Sequence, residues 1–170
     1  MGCGVLLACV PRSALTSLRE IPWQEVTGLG AGDEAQRSLF RMESLVHVFF
    51  SGLVLGIILF QTAIVAPTLF KSLGRESFGV AIRDLWPKFF LLIAGLGVAT
   101  TGMVYVGGGT VAQYAVGGAT ACLAGLCYAL IPATNRATDS GDQARFDLLH
   151  RVSVGSTVVM LLANLAFPWL

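Results

Sequence analysis

The sequence predicts an all-α integral membrane protein: an antiparallel four-helix transmembrane bundle with a cytoplasmic interfacial amphipathic helix. Three observations predict it. No Asp, Glu, Lys or Arg occurs in the 47 residues from Phe89 to Asn135, the 27 from Ser44 to Phe70 or the 19 from Val152 to Leu170. The chain of 170 residues is 55% hydrophobic and 12% charged, which leaves too little charge to cover a water-soluble domain. Gly107-Gly108-Gly109 divides the longest tract, which at about 1.5 Å rise per residue is too long for one crossing of a roughly 30 Å core.

Residues 1–41 differ from the rest. They contain Pro11, Pro22, Gly28, Gly30 and Gly32 with mixed charges and no sustained periodicity, and are expected to be a poorly ordered N-terminal extension. Targeting signals match this stretch only in part. The apolar run Val5–Val10 has no basic residue before it, Cys9 follows a lipoprotein-like Leu6-Leu7-Ala8, and Gly2-Cys3 suggests acylation while Leu6 stands where Ser or Thr is needed. An organelle transit peptide fits Arg12, Ser13, Ser17 and Arg19 but not Glu20, Glu25, Asp33 and Glu34. Residues 42–170 are expected to be the transmembrane domain, with residues 1–41 either lacking a membrane role or preceding a functional start at Met42.

The first span is expected at about 44–66, with Pro67 at its end because proline interrupts the helical hydrogen-bond ladder. The second is expected at about 88–106. The glycine triplet then makes a short turn, because consecutive flexible residues stop a helix. The third span follows at about 111–131 and ends at Pro132, and the fourth runs at about 151–169 with Trp169 at the far interface. In segment 71–88, Phe78, Ile82, Leu85 and Trp86 recur at helical spacing beside Arg75, Glu76, Arg83 and Asp84, the pattern of a helix resting at headgroup level. Segment 132–151 is polar, and Ser140 or Asp142 would cap a helix leading into the last span.

The two long connections carry Lys71, Arg75, Arg83, Lys88, Arg136, Arg145 and Arg151, against Arg37 and Arg41 near the opposite end of the first span. The positive-inside rule therefore puts both connections in the cytoplasm. The organelle is not specified by this pattern.

Lipid tails are as apolar as leucine, so helices in a bilayer associate through close packing and hydrogen bonds. Small residues four apart, Gly52 and Gly56, Gly95 and Ala99, and Gly117, Ala121 and Gly125, are candidate seams within the bundle or toward a second copy. Gln61, Thr62, Thr100, Thr101, Gln113 and Asn164 are the polar side chains within the spans, expected to bond a neighbouring helix or their own backbone.

Little points to chemistry. His47 and His150 fall at opposite ends of the bundle, which excludes a bis-histidine haem within one chain. HExxH, CxxC, GxSxG and phosphate-loop patterns are all missing from the sequence. No catalytic residue, metal site or cofactor is expected, and a net charge of +1 gives nucleic acid no purchase. Cys122 and Cys127 are five residues apart, about 140° around a helix, which suits neither a shared metal nor a disulfide. The densest polar group is Arg75, Asn135, Asp139, His150, Arg151 and Ser153, where the two long connections would meet. It would serve as a headgroup, anion or metal contact, or as a salt-bridged collar pinning the connections to the bundle.

Three ordered blocks of residues carry a resemblance. The first lies within His47–Gly79: Ser51-Gly52, Gly56, Thr62, Phe70-Lys71-Ser72-Leu73, Arg75 and Phe78-Gly79. The second is Leu85-Trp86-Pro87-Lys88-Phe89-Phe90. The third is Ile131-Pro132-Ala133-Thr134-Asn135 with Asp139, Phe146 and Leu149-His150-Arg151-Val152-Ser153. Together they resemble the transmembrane protein 205-like family, a four-helix membrane family of unknown function with bacterial relatives, over about residues 42–170. Gly74 stands where relatives often have Pro, and Thr157 where an Asn is expected. The resemblance implies architecture and leaves activity open.

The expected function is a non-enzymatic structural, adaptor or partner-binding component of the membrane, with the lipid bilayer and a second copy or membrane partner protein as its contacts. The alternative is a transport or export and tolerance component for a small solute, drug or soft metal. It would use Gln61, Thr62 and Asn164, with Cys122, Cys127 and Met160 as further lining. An enzyme using His150 as a base beside Asp139 ranks below both.

Overall fold

The computed structural model describes residues 29–170, with side chains throughout from Leu45 onward except that of Arg75. Of the residues invoked for targeting, those up to Glu25 lie outside the described residues, whereas Asp33 and Glu34 fall in the first helix. The chain divides into two units, and the candidate site lies wholly within the second, Met42–Leu170. The described residues are helical apart from short turns. Four helical stretches are long and apolar enough to cross a membrane: Leu45–Gly74, Glu76–Gly107, Val111–Asp139 and Gln143–Trp169.

Helix α1 begins at Leu29, inside the stretch expected to be poorly ordered, and runs as regular α-helix to Phe60. It then passes through a π-helical turn, Gln61–Val65, and continues to Gly74. Pro67 therefore does not end the first span. A proline in a helix has no N–H for the carbonyl four residues back and its ring crowds that carbonyl, here Ala63. The wider π turn lies across this position, and the Ala66 N–H bonds to the Gln61 carbonyl.

The break comes at Gly74, with φ 69° and ψ 174°. That backbone region is almost confined to glycine. Helix α2, Glu76–Gly107, continues through Pro87, so segment 71–88 forms no separate interfacial helix. Its larger part is the first three turns of α2. Helix α2 stops where Gly108 turns left-handed at φ 72° and its N–H caps Val104.

Helix α3, Val111–Asp139, starts with a reciprocal cap: Gln113 N–H donates to Thr110 Oγ1, and Thr110 N–H donates to Gln113 Oε1. Pro132 does not end it, and the helix continues two further turns to Asp139. Segment 132–151 is accordingly helix–turn–helix, with only Ser140–Asp142 between α3 and α4 and Gly141 at φ 72°. Helix α4, Gln143–Ala166, is capped by the Asp142 carboxylate, which accepts from Arg145 N–H at 3.0 Å, as the sequence suggests. A 3-10 turn, Phe167–Trp169, follows.

The four helices form a bundle whose buried positions recur at alternating spacings of four and three. On α1 they are His47, Ser51, Val54, Ile58 and Gln61. On α3 the row is Gly117, Thr120, Ala124, Cys127, Ile131 and Thr134, with Val116 and Ala137 also buried at its ends. On α4 they are Ser153, Met160, Asn164 and Phe167. This is the spacing of helices packed at a shallow crossing angle. Val54, Ile58, Phe89, Phe90, Ile93, Ala124, Cys127, Ile131 and Met160 make the main core. Large apolar residues such as Leu45, Phe49, Phe60, Leu91, Val98 and Leu162 point outward, as a lipid solvent allows.

The closest helix approach is between α2 and α3. A Cβ on Gly97 would lie 2.6 Å from Ala121 N, and one on Gly117 would lie 2.5 Å from Thr101 Oγ1. Gly117 and Ala121 are thus in the seam, and their partners are Gly97 and Thr101 rather than Gly95 and Ala99. Gly52, Gly56, Gly95 and Gly125 are exposed, and a Cβ on any of them would meet nothing within 4 Å among the described residues, so they pack against none of the other described helices. Spacing of four identifies a row on a helix but not which row faces inward.

Candidate functional site

At the end of the bundle marked by the Ser140–Asp142 turn, the chain forms a half-open cavity of about 650 Å³. It draws its walls from every helix. The end of α1 contributes Ala66, and α2 contributes Phe78, Gly79, Ile82, Arg83 and Trp86. Helix α3 contributes Ile131, Thr134, Asn135, Ala137 and Thr138, and the turn and α4 contribute Asp142, Gln143, Phe146 and His150. Phe78, Ile82 and Trp86 are four residues apart, so one stripe of α2 supplies the apolar wall. The amphipathic pattern seen in the sequence is this stripe, turned toward the cavity.

His150 is held between two aromatic rings. The Trp86 ring lies 6.2 Å away, centre to centre, and 6° from parallel. The Phe146 ring lies 5.6 Å away and 7° from parallel. Phe90 meets Trp86 edge-on at 6.2 Å. These separations fall in the range where aromatic rings attract. Phe146 and His150 are one helical turn apart on α4, and Trp86 reaches them from α2, so the stack ties the two helices together. Nδ1 of His150 is buried and has no hydrogen-bond partner among the described residues. An unmet buried polar atom costs about 1–3 kcal/mol.

The cavity wall is charged at Arg83, whose Nη2 donates to Asp139 Oδ1, joining α2 to α3. Both side chains are well exposed, 41% and 59%, so the pair is open to exchange with an incoming charge rather than locked in a dry interior. Nearby, Lys88 bonds Asp84 at 2.6 Å along α2, also at the surface. Thr134 and Thr138 turn their hydroxyls back to carbonyls one turn earlier on α3.

The residues singled out from the sequence separate into groups. Asn135 and His150 line the cavity, and Asp139 bonds its Arg83 wall. Arg151 is exposed and outside the lining. Ser153 is buried below it, donates to the Leu149 carbonyl at 3.1 Å, and its own carbonyl accepts from the Cys127 thiol. The side chain of Arg75 lies outside the described residues.

Asn164 belongs to a second polar cluster deeper in the bundle. Its Nδ2 donates to Thr120 Oγ1 at 2.8 Å and to the Met160 carbonyl, and its Oδ1 accepts from the Ser51 hydroxyl at 3.0 Å. Three helices are thereby joined. His47 links α1 to α2 through a 2.7 Å hydrogen bond between Nε2 and the Met103 carbonyl, near the glycine turn and far along α2 from Trp86. Thr62 is exposed and bonds the Ile58 carbonyl of its own helix. Gln61 is buried in the π turn, and its Nε2 has no partner among the described residues. Cys122 is exposed, whereas Cys127 and Met160 are in the core.

Sequence reasoning missed Arg83 and the stacking role of Trp86 and Phe146. The signal was present in the four-residue spacings Phe78–Ile82–Trp86 and Phe146–His150, which place each set on one helix face.

Among known proteins, a family model described as "Domain of unknown function (DUF4149)" matches residues 49–143. No curated protein and no solved structure matches the chain. The match takes in most of the cavity wall, from Ala66 to Gln143, and stops short of Phe146 and His150. Since it covers more than half of a chain with four membrane-crossing helices, this protein belongs to the uncharacterised DUF4149 family.

Proposed function

We propose that this protein is a non-enzymatic, partner-binding component of the membrane whose working site is the cavity at the charged end of an antiparallel bundle. The carrying observation is the cavity itself, walled by all four helices and holding His150 in an aromatic stack beside the Arg83–Asp139 pair. Binding sites for small molecules are concave, mostly apolar and furnished with a few polar groups, and this cavity has those properties. A small molecule bound there would bridge α1, α2, α3 and α4 and could carry a signal to a second copy or a membrane partner protein.

Finer features belong to the same proposal. The pairing of residues 97 with 121, 83 with 139 and 120 with 164 supports alternating helix directions. The excess of Lys and Arg around this end supports a cytoplasmic location for it, with the Phe78–Trp86 turns of α2 reaching headgroup level. The three residue blocks noted above support a likeness to transmembrane protein 205, and residues 42–170 are the functional domain.

The test is native mass spectrometry of the full chain released from lipid nanodiscs. The expected result is a retained small-molecule species that is lost in Gly79→Phe, where the new side chain fills the cavity. Protein that emerges bare, or a bound species that survives the filling, would overturn the reading.

Transport or export of a small solute is the second reading. Gln61 supports it: a buried amide with an unpartnered nitrogen in a π turn is a feature often found at functional sites. Under that reading, Gln61→Leu changes solute accumulation in cells at unchanged protein level. Unchanged accumulation removes it.

A further inference from the structure

Resting on the pocket reading above, we infer that the cavity takes a single-chain amphiphile with a zwitterionic head. Size comes first. A cavity of about 650 Å³ suits one drug-sized molecule rather than a two-chain lipid. Its wall is also divided. Ala66, Ile82, Trp86 and Ile131 offer apolar surface for a chain, while Arg83, Asn135, Asp142 and His150 offer polar atoms for a head.

The charges then select the head. Arg83 is already answered by Asp139, and Asp142 already caps α4. A purely anionic head reaches Arg83 only by displacing Asp139, which leaves that carboxylate without a partner across the turn from Asp142. A purely cationic head takes Asp139 and strands Arg83. Leaving one member of the pair unanswered is the less favourable outcome, by the modest margin that an exposed pair supplies. A zwitterion exchanges both partners at once: its anionic group takes Arg83 and its ammonium takes Asp139. Aromatic rings in the same wall, Phe78, Trp86 and Phe146, favour an ammonium further. The Asn135 amide in the same wall offers hydrogen bonds to a hydroxyl or ester between head and chain.

The experiment titrates the full chain in mild detergent with three probes of matched chain length, read by native mass spectrometry. They are lysophosphatidylcholine (zwitterionic), lysophosphatidylglycerol (anionic) and an alkyltrimethylammonium (cationic). We expect the zwitterion to bind about two- to fivefold more tightly than either charged probe. Gly79→Phe should remove binding of all three. The double variant Arg83→Gln with Asp139→Asn should erase the preference while binding persists. Ile82→Trp provides a second filled cavity should Gly79→Phe melt early. Equal binding of the three probes, abolished by filling, would overturn the zwitterion and leave the pocket standing, as would preference for a charged probe. Binding that ignores both filling variants, or none at all, would overturn the pocket with it.

Discussion

Asn164 shows what a single polar residue does inside this bundle. Its amide reaches Thr120 on α3, its oxygen receives Ser51 from α1, and its own helix is α4. Hydrogen bonds between membrane helices are worth about 0.6 kcal/mol on average and up to about 1.7. Asn164→Leu, which breaks two of them and leaves Ser51 and Thr120 only their backbone carbonyl partners, is expected to cost about 1–2 kcal/mol in reversible unfolding in mixed micelles. A stability equal to wild type would show that the cluster is incidental. The α2–α3 seam makes a second residue-scale prediction. Gly97→Leu should fail to fold or lose several kcal/mol, because its side chain must enter the space of Ala121 N. Gly56→Leu should leave the fold intact, because nothing lies within 4 Å of its Cβ position. The same substitution tests self-association, since a dimer built on Gly52 and Gly56 would dissociate. Asn164 was legible in the sequence as a polar residue in an apolar tract. Its partners were not, because they come from helices more than 40 residues away.

At the scale of elements, glycine and proline have unequal effects here. Pro67, Pro87 and Pro132 all lie within helical stretches, and only Pro67 coincides with a π turn. Helices in a membrane tolerate proline where local adjustment or a neighbour satisfies the freed carbonyl, so expecting a stop at Pro67 and Pro132 was the wrong inference. Gly74 is the true break. It alone divides α1 from α2, and its φ of 69° with ψ of 174° excludes a proline there, whose φ is fixed near −65°. Gly74→Ala is expected to lose about 1–3 kcal/mol. Gly79→Ala, with helical geometry and open space at its Cβ, is expected to be neutral or to gain about 0.5–1 kcal/mol. Paired unfolding measurements on the two variants check this, and equal effects would mean that the break at Gly74 carries no strain.

For the whole molecule, the excess of Lys and Arg at the cavity end predicts sidedness. In a chain with its native cysteines replaced, Ser140→Cys should react with a membrane-impermeant maleimide only after the cytoplasmic face is opened. Thr110→Cys, at the opposite turn, should react from outside. The reverse pattern would invert the orientation without changing the bundle.

The sequence by itself determined the solvent, the number of crossings and the glycine turn between α2 and α3. Uncharged tracts are a local property, and a bilayer charges a local cost for every ionised group. It also narrowed the start of α4 to Ser140 or Asp142, since a cap acts over three residues, and the structure selects Asp142. Only the tertiary structure decided which face of each helix turns inward. In water an inward face is the apolar one, but in lipid both faces are apolar, and here the inward rows carry His47, Ser51, Thr120 and Asn164 while leucines face out. For the same reason the cavity was out of reach. Its stack of Trp86, His150 and Phe146, and the ion pair of Arg83 with Asp139, join residues that only helix packing brings together.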